Sequence, residues 1–323
     1  MASVDDVLPP RTRDALTAAR LYYLQDLTME AIAQELDTSR SSVSRLLSYA
    51  RDTGLVDITV RSPREMPSLI EGELRRRFKV VAHVVPMPDV ATDIDRLERV
   101  ALYTARVLGQ FFDSNMTMGI AWGSTMSAIS RHLIEKPTHN SQIVQLNGAG
   151  NPRTTGIIYA SEILQRFGDA FGAYVQQFPV PAFFDHAETK AAMWRESSVR
   201  RVLDVQKRLD IALFGLGAPS ADLPSHVYTG GYLDEADLRW LDKNGIVGDI
   251  ATVFYREDGS YDRIPLNERA TGPDPLLLKK VGRRICVVAG ESKIASIRGA
   301  LAGGFVTDLV IDGGTARQLL ESV

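Results

Sequence analysis

From about residue 80 onward, short apolar runs alternate with longer amphipathic stretches, and this alternation restricts the fold more than any other feature of the chain. The apolar runs fall at 80–85, 116–121, 142–147, 173–178, 210–215, 247–255, 284–289 and 307–312. Several have no polar break, as in Ile211-Ala212-Leu213-Phe214. That suits a strand buried on both faces of a parallel sheet. Helical patterns lie between them at 92–112, 124–134, 154–167, 188–194, 197–208, 234–243, 275–281, 291–302 and 315–321. Regular strand–helix alternation predicts a Rossmann-like α/β domain with a mostly parallel sheet over 80–323.

The first 62 residues have a different rhythm. Ala15, Ala18, Ala19, Leu21, Tyr22 and Leu24 give residues 11–25 an apolar helical face. Thr28 is placed to cap a second helix through Ala31, Ile32 and Leu36. Asp37-Thr38-Ser39 breaks it, and Thr38 or Ser39 can cap a third helix through Val43, Leu46, Leu47 and Ala50. Leu55 to Val60 then alternates with period two, as a strand does. Two helices joined by a tight turn, with a strand behind, predict a winged helix-turn-helix over 1–62. Ala33 is small where the two helices must cross. Residues 66–79, which end in Arg75-Arg76-Arg77-Phe78-Lys79, read as a helix connecting the two parts, assigned to 63–79.

Charge decides where such a unit could touch DNA. The chain carries a net charge of −3, and residues 1–62 hold seven Arg against nine Asp and Glu, so binding must rest on a local patch. The third helix supplies one, because residues 39–51 contain three Arg and no acid. Thr38, Ser39, Arg40, Ser41, Ser42, Ser44, Arg45, Ser48 and Arg51 are the candidate DNA contacts, with Arg61 from the wing. Hydroxyls reach phosphates or base edges, and Arg forks onto guanine.

Other classes are excluded by what the chain lacks. No apolar run approaches the ~18 residues of a membrane span. Met1 to Pro10 carries Asp5 and Asp6 and does not read as a signal peptide, so a cytoplasmic location is expected. A single cysteine, Cys286, permits no internal disulfide and no Cys-based zinc site. The five His are scattered without metal spacing, so no metal and no cofactor are expected. No Walker loop is present.

Within 80–323, glycine-containing turns follow the predicted strands. Gly123-Ser124-Thr125 joins strand 116–121 to helix 124–134. Backbone N–H groups, hydroxyls and the helix dipole could cradle an anion there, and an ordinary capped strand–helix turn fits equally. Asn147-Gly148 and Gly215-Leu216-Gly217 also sit at carboxyl ends of strands, where ligands collect in open α/β sheets, and neither continues as a dinucleotide fingerprint. Gly248-Asp249 offers an acceptor for hydroxyls. Lys293, in the first turn of helix 291–302, opposes the helix dipole. A bound phosphate would compensate it, and so would simple exposure to water.

At this point a resemblance becomes specific. Leu27 to Leu36, Ser39 to Leu47 and Ala50 to Val56 resemble the DeoR-like N-terminal domain of the SorC family of sugar-responsive regulators. Gly123-Ser124-Thr125, Asn147-Gly148, Gly215-Leu216-Gly217, Gly248-Asp249, Gly290 with Lys293, and Thr307 to Asp312 follow in that family's order. The resemblance spans about residues 15–321 and is loose over about 170–200, where Gln176, His186, Lys190 and Arg195 are polar candidates. It implies an effector domain related in fold to sugar-phosphate isomerases and glucosamine-phosphate deaminases. It also implies that Gly123, Ser124, Thr125 and Lys293 hold a phosphate, and that Asn147 and Asp249 read hydroxyls. The expected partners are double-stranded operator DNA, a sugar or sugar-phosphate effector, and further copies of the chain in a dimer or tetramer. The alternative is a sugar-phosphate isomerase or deaminase with a DNA-binding appendage. That would need a base tuned toward neutrality beside the substrate carbon, and no local His–Asp or paired-carboxylate constellation supplies one.

Overall fold

The computed structural model describes residues 9–23, 25, 27–56, 67–88, 90–219, 221 and 225–322. The chain divides into two compact units, residues 1–62 and 63–323.

In the smaller unit three helices, α1 (Pro10–Tyr23), α2 (Met29–Glu35) and α3 (Arg40–Asp52), close around Ala15, Ala18, Ile32, Val43, Leu47 and Ala50. Both predicted caps form. Thr28 accepts the Ala31 N–H and Ser39 accepts the Ser42 N–H, each at 3.2 Å. Asp37 turns the chain between α2 and α3 with φ 45°, a left-handed geometry that Asp tolerates better than most residues. Leu36 and Leu46 pack at the rim of this core. Leu24, the wing strand at residues 57–60 and Arg61 lie outside the described residues.

The larger unit is built on a seven-stranded sheet. Its strands are β1 (Val81–Val85), β2 (Thr117–Ile120), β3 (Gln142–Gln145), β4 (Tyr174–Gln176), β5 (Ile211–Gly215), β8 (Arg283–Val288) and β9 (Asp308–Asp312), in the order β1-β9-β8-β5-β2-β3-β4. Every pairing is parallel. Two cores explain the unbroken apolar runs. Ala212, Phe214, Cys286, Val288, Leu309 and Ile311 enter one, while Ile211, Leu213, Ile285, Val287 and Val310 enter the other. Period-two alternation thus carries apolar residues to both faces, each covered by helices.

Two expectations are corrected. The run 247–255 is not one strand. It forms a separate antiparallel hairpin of β6 (Ile246–Ile250) and β7 (Val253–Arg256), turning at Ala251 (φ 47°) and Thr252 (φ 73°). A two-residue turn of this hand usually announces itself with Asn or Gly, so its sequence signal is missing. The supposed connector 63–79 does not stand apart either. Helix α4 (Pro67–Phe78) seats Ile70 and Leu74 in the core of the larger unit, against β1 and the C-terminal helix Gly313–Glu321. Its basic end is answered within the helix, where Arg76 and Arg77 both pair with Glu73. Two short helices that periodicity could not reveal, His226–Thr229 and Pro265–Arg269, complete the unit.

Candidate effector site and DNA-reading helix

Strand order reverses between β2 and β5. After β2 the chain steps outward to β3 and β4, and after β5 it steps the other way to β8 and β9. The turns leaving β2 and β5 therefore diverge and leave a crevice at the carboxyl ends of the strands. A cleft of about 510 Å³ opens there, including its mouth. It is lined by Gly123, Ser124, Thr125, Asn147, Gly215, Gly217, Asp249 and Lys293, which are eight of the nine effector candidates.

One wall is the start of helix α6 (Ser124–Ser130), the sixth helix after α5 (Asp93–Phe111). Gly123, with φ 139°, precedes it, and no side chain caps its first N–H groups. Thr125 is buried, Ser124 is exposed, and Thr125 Oγ1 would stand 3.1 Å from a Cβ on Gly215. Lys293 enters from the turn after β8. Residues Glu291–Lys293 form a 3₁₀ turn, so Lys293 sits just ahead of the helix Ile294–Ala302 rather than within its first turn. Burial draws its pKa down, against the opposing pull of Cys286, Asp249 and Asp93. Among the described residues no carboxylate lies within salt-bridge range of its ammonium group.

The cleft also carries acceptors without partners among the described residues. Asn147 and Asp249 are 1% and 4% exposed, yet Asn147 Oδ1, Asp249 Oδ1 and Ser225 Oγ find no hydrogen-bond partner among the described residues. Buried polar atoms are nearly always satisfied, so three along one cleft make it the candidate binding site. Asp249 is brought there by the hairpin. Its backbone exchanges two hydrogen bonds with Gly217, at 3.0 and 3.3 Å, and its other carboxylate oxygen accepts the Thr252 N–H at 3.0 Å. A Cβ on Gly217 would fall 1.8 Å from Asp249 Oδ1, so only glycine fits. Burial pushes the Asp249 carboxyl up to about 6, offset by the Thr252 N–H, the Tyr228 hydroxyl and Lys293.

Gly148 is the candidate that the structure keeps out of the cleft. Its carbonyl accepts Trp122 Nε1–H at 2.7 Å, its N–H donates to Thr271, and a Cβ would strike the Val180 carbonyl at 2.2 Å. It shapes the wall from behind, with Trp122 stacked on Tyr232. Of the middle candidates, His186 and Arg195 are exposed, Lys190 donates to the Asn267 carbonyl, and Gln176 is buried. None lines the cleft. Sequence reading missed Ser225, His226 and Thr252, which do line it. Ser225 and His226 begin a four-residue helix and Thr252 lies in the unsignalled hairpin turn, so neither leaves a periodic trace.

On the smaller unit, Ser39, Arg40, Ser41, Ser44, Arg45 and Arg51 are exposed, and Thr38, Ser42 and Ser48 are half-buried. Arg45 donates to the Ser41 carbonyl and the Ser42 hydroxyl, and Arg51 to Tyr23 and Ser48. Arg40 pairs with Glu30 at 2.8 Å, though both are well exposed.

Comparisons with known proteins agree with this division. Residues 63–321 match the family described as "Putative sugar-binding domain", and residues 6–53 match region 4 of sigma-70. The deoxyribonucleoside regulator of Bacillus subtilis is 33% identical over 96% of this chain and 97% of its own length. The sorbitol operon regulator of Klebsiella pneumoniae is 24% identical over 99% and 100%. Among solved structures, a domain of a possible sugar-binding transcriptional regulator from Arthrobacter aurescens is 55% identical, covers 80% of this chain and 100% of its own, and has a TM-score of 0.76. The full-length SorC structure from Klebsiella pneumoniae shares the fold at 22% identity, with a TM-score of 0.72 over 97% and 100% of the two chains.

The buried Asp249 carboxylate, with one oxygen lacking a partner among the described residues, carries a prediction. A carboxyl whose folded pKa lies above its unfolded value favours the fold at low pH, and that contribution is lost as pH rises from about 4 through 6. The empty Asp249→Asn protein should therefore melt a few degrees above the parent at pH 7.5, up to about 3 kcal/mol more stable. The gap should close toward pH 4.5. Tryptophan fluorescence reports it directly, since Trp122, Trp194 and Trp240 all lie in the larger unit. Equal melting at both pH values would refute the assignment of a carboxyl whose pKa is raised by burial.

Proposed function

The chain belongs to the SorC family of sugar-binding transcriptional regulators, and from that premise we propose that its cleft takes a phosphorylated sugar or polyol whose binding controls the grip of α3 on operator DNA. It is a ligand-responsive regulator of transcription rather than an enzyme. The observation that carries the effector assignment is the mixture of donors and acceptors that line one cleft. The uncapped N–H groups of α6, the hydroxyls of Ser124 and Thr125 and the ammonium of Lys293 share its lining. All can donate, and together they suit an anion. The same lining holds Asn147 Oδ1 and Asp249 Oδ1, acceptors with no hydrogen-bond partner among the described residues, which suit hydroxyl groups. A molecule with a phosphate at one end and hydroxyls at the other satisfies both. Relatives named for deoxyribonucleosides and for sorbitol make pentose and polyol phosphates the first compounds to test.

The DNA half rests on α3. Ser41, Ser44 and Arg45 face outward from the start of that helix, where a recognition helix presents its readers to the major groove. Thr38, Ser39, Arg40, Ser42, Ser48, Arg51 and Arg61 supply the surrounding phosphate and base contacts. Operator half-sites paired by symmetry call for at least a dimer, and a tetramer would engage two such pairs. No helix among the described residues is long and apolar enough to cross a membrane. A protein that meets operator DNA in a bacterium works in the cytoplasm.

Two measurements test this reading. Arg45→Ala should weaken binding to the native promoter by about 1–3 kcal/mol, the worth of one base-reading pair, with the fold intact. Fluorescence anisotropy reads it, and unchanged binding with Arg40→Ala also silent would remove α3 from the interface. Isothermal titration of matched phosphorylated and unphosphorylated sugars should favour the phosphorylated member of the pair. Lys293→Ala should erase most of that preference. Equal or tighter binding of the unphosphorylated partner would overturn the phosphate assignment.

A further inference from the structure

Lys293 lies at the turn after β8, beside a second cation that holds the nearby acids. The other cation is Arg96 on α5, a residue that no motif singles out. Its guanidinium lies 2.6 Å from Asp312 Oδ1, 3.5 Å from Glu291 and 3.9 Å from Asp93. Asp312 is fully buried at the end of β9. It also accepts the Gly290 and Thr315 N–H groups and the Thr315 hydroxyl. One carboxylate and one guanidinium thus tie the start of α5, the Gly290 turn and the start of the C-terminal helix. Gly314 shows how closely they fit. A Cβ there would stand 2.3 Å from Arg96 Nη1, and its φ is not one that requires glycine. A glycine in the first turn of a helix weakens the helix, and here it makes room for the guanidinium.

Asp312, Glu291 and Asp93 all lie within ion-pair range of Arg96. Asp93, which also acts electrostatically on Lys293, is held beside Gly290, where a Cβ would lie 3.3 Å from its carboxylate. We propose that Arg96 is a positioning residue of the cleft: it engages Asp312, Asp93 and Glu291 so that Lys293 stays free to take the anionic end of the effector. Without Arg96, Asp93 is released toward Lys293, on which it already acts, and Lys293 is quenched by the protein's own carboxylate. This rests on the reading of Lys293 given above.

The test uses the full chain and inorganic phosphate as probe. Apparent affinity is read from the dependence of the melting temperature on phosphate concentration. Lys293→Ala should lose most of the response. Arg96→Gln should weaken it roughly tenfold, the effect of about one charge-assisted contact. Arg96→Gln with Asp93→Asn should regain most of the loss, because the competing acid is gone, whereas a purely structural role would not be rescued. Asp93→Asn alone, a mild change at a partly exposed site, should tighten phosphate binding about twofold. Parent-like binding by Arg96→Gln, failure of the double variant to recover, or weaker binding by Asp93→Asn each overturns the proposal. If Lys293→Ala leaves the response intact, the reading of Lys293 itself fails. If only Lys293→Ala weakens it, the role given to Arg96 fails alone.

Discussion

A parallel sheet must change direction somewhere, and in this chain everything else is arranged around the place where it does. Between β2 and β5 the connections run to opposite sides, and no backbone can bridge the gap at the carboxyl ends. The sheet is covered on both faces by two apolar cores, so its strands are rigidly held. The turns that leave them inherit that rigidity. Gly123-Ser124-Thr125, Gly215-Leu216-Gly217 and the Gly290–Lys293 turn meet at the crevice because the strands before them are neighbours, although they lie up to 170 residues apart in sequence.

The crevice is kept polar at a cost to the fold. Asp249 and Asn147 are buried and Ser225 is half-buried, each with an enclosed oxygen that has no partner among the described residues, and each such atom gives up hydrogen bonds it would have had in water. Removing one would stabilise the empty protein, which is the usual relation between a binding site and stability. Around this site the satisfied groups do the holding. Asp312 takes four donors, Trp122 hydrogen-bonds behind the cleft to the Gly148 carbonyl, and the Gly217–Asp249 bridge fixes the hairpin. Preorganisation of this kind lets binding energy go into selecting a state rather than into ordering the site.

Much of this could be read from residue order. The caps Thr28 and Ser39, the buried strands and most of the cleft glycines announce themselves through local rules of capping, period and turn chemistry. What escaped the sequence has a common physical cause. Asp249 was visible as a residue, but the Ala251-Thr252 turn that aims it was not, because that turn lacks Gly and Asn. Ser225 and His226 open a helix too short for periodicity. Ile70 and Leu74 are spaced like any amphipathic pair, and only the tertiary structure shows that α4 belongs to the larger core. Gly148 looks like a ligand-contacting glycine, yet it serves close packing against Val180 and Pro181. Arg96 is one arginine among many until Asp312 is seen beneath it.

The account joins two sites in one chain, and thermodynamic linkage makes that joint measurable. If the effector changes the affinity for operator DNA by some factor, the operator must change the affinity for the effector by the same factor. The decisive experiment titrates sugar phosphates into the full chain with and without promoter DNA, and promoter DNA into the chain with and without sugar phosphate. The account predicts a compound that binds the cleft and shifts operator affinity, with equal factors from the two directions. A compound that occupies the cleft while both factors stay at one would contradict it.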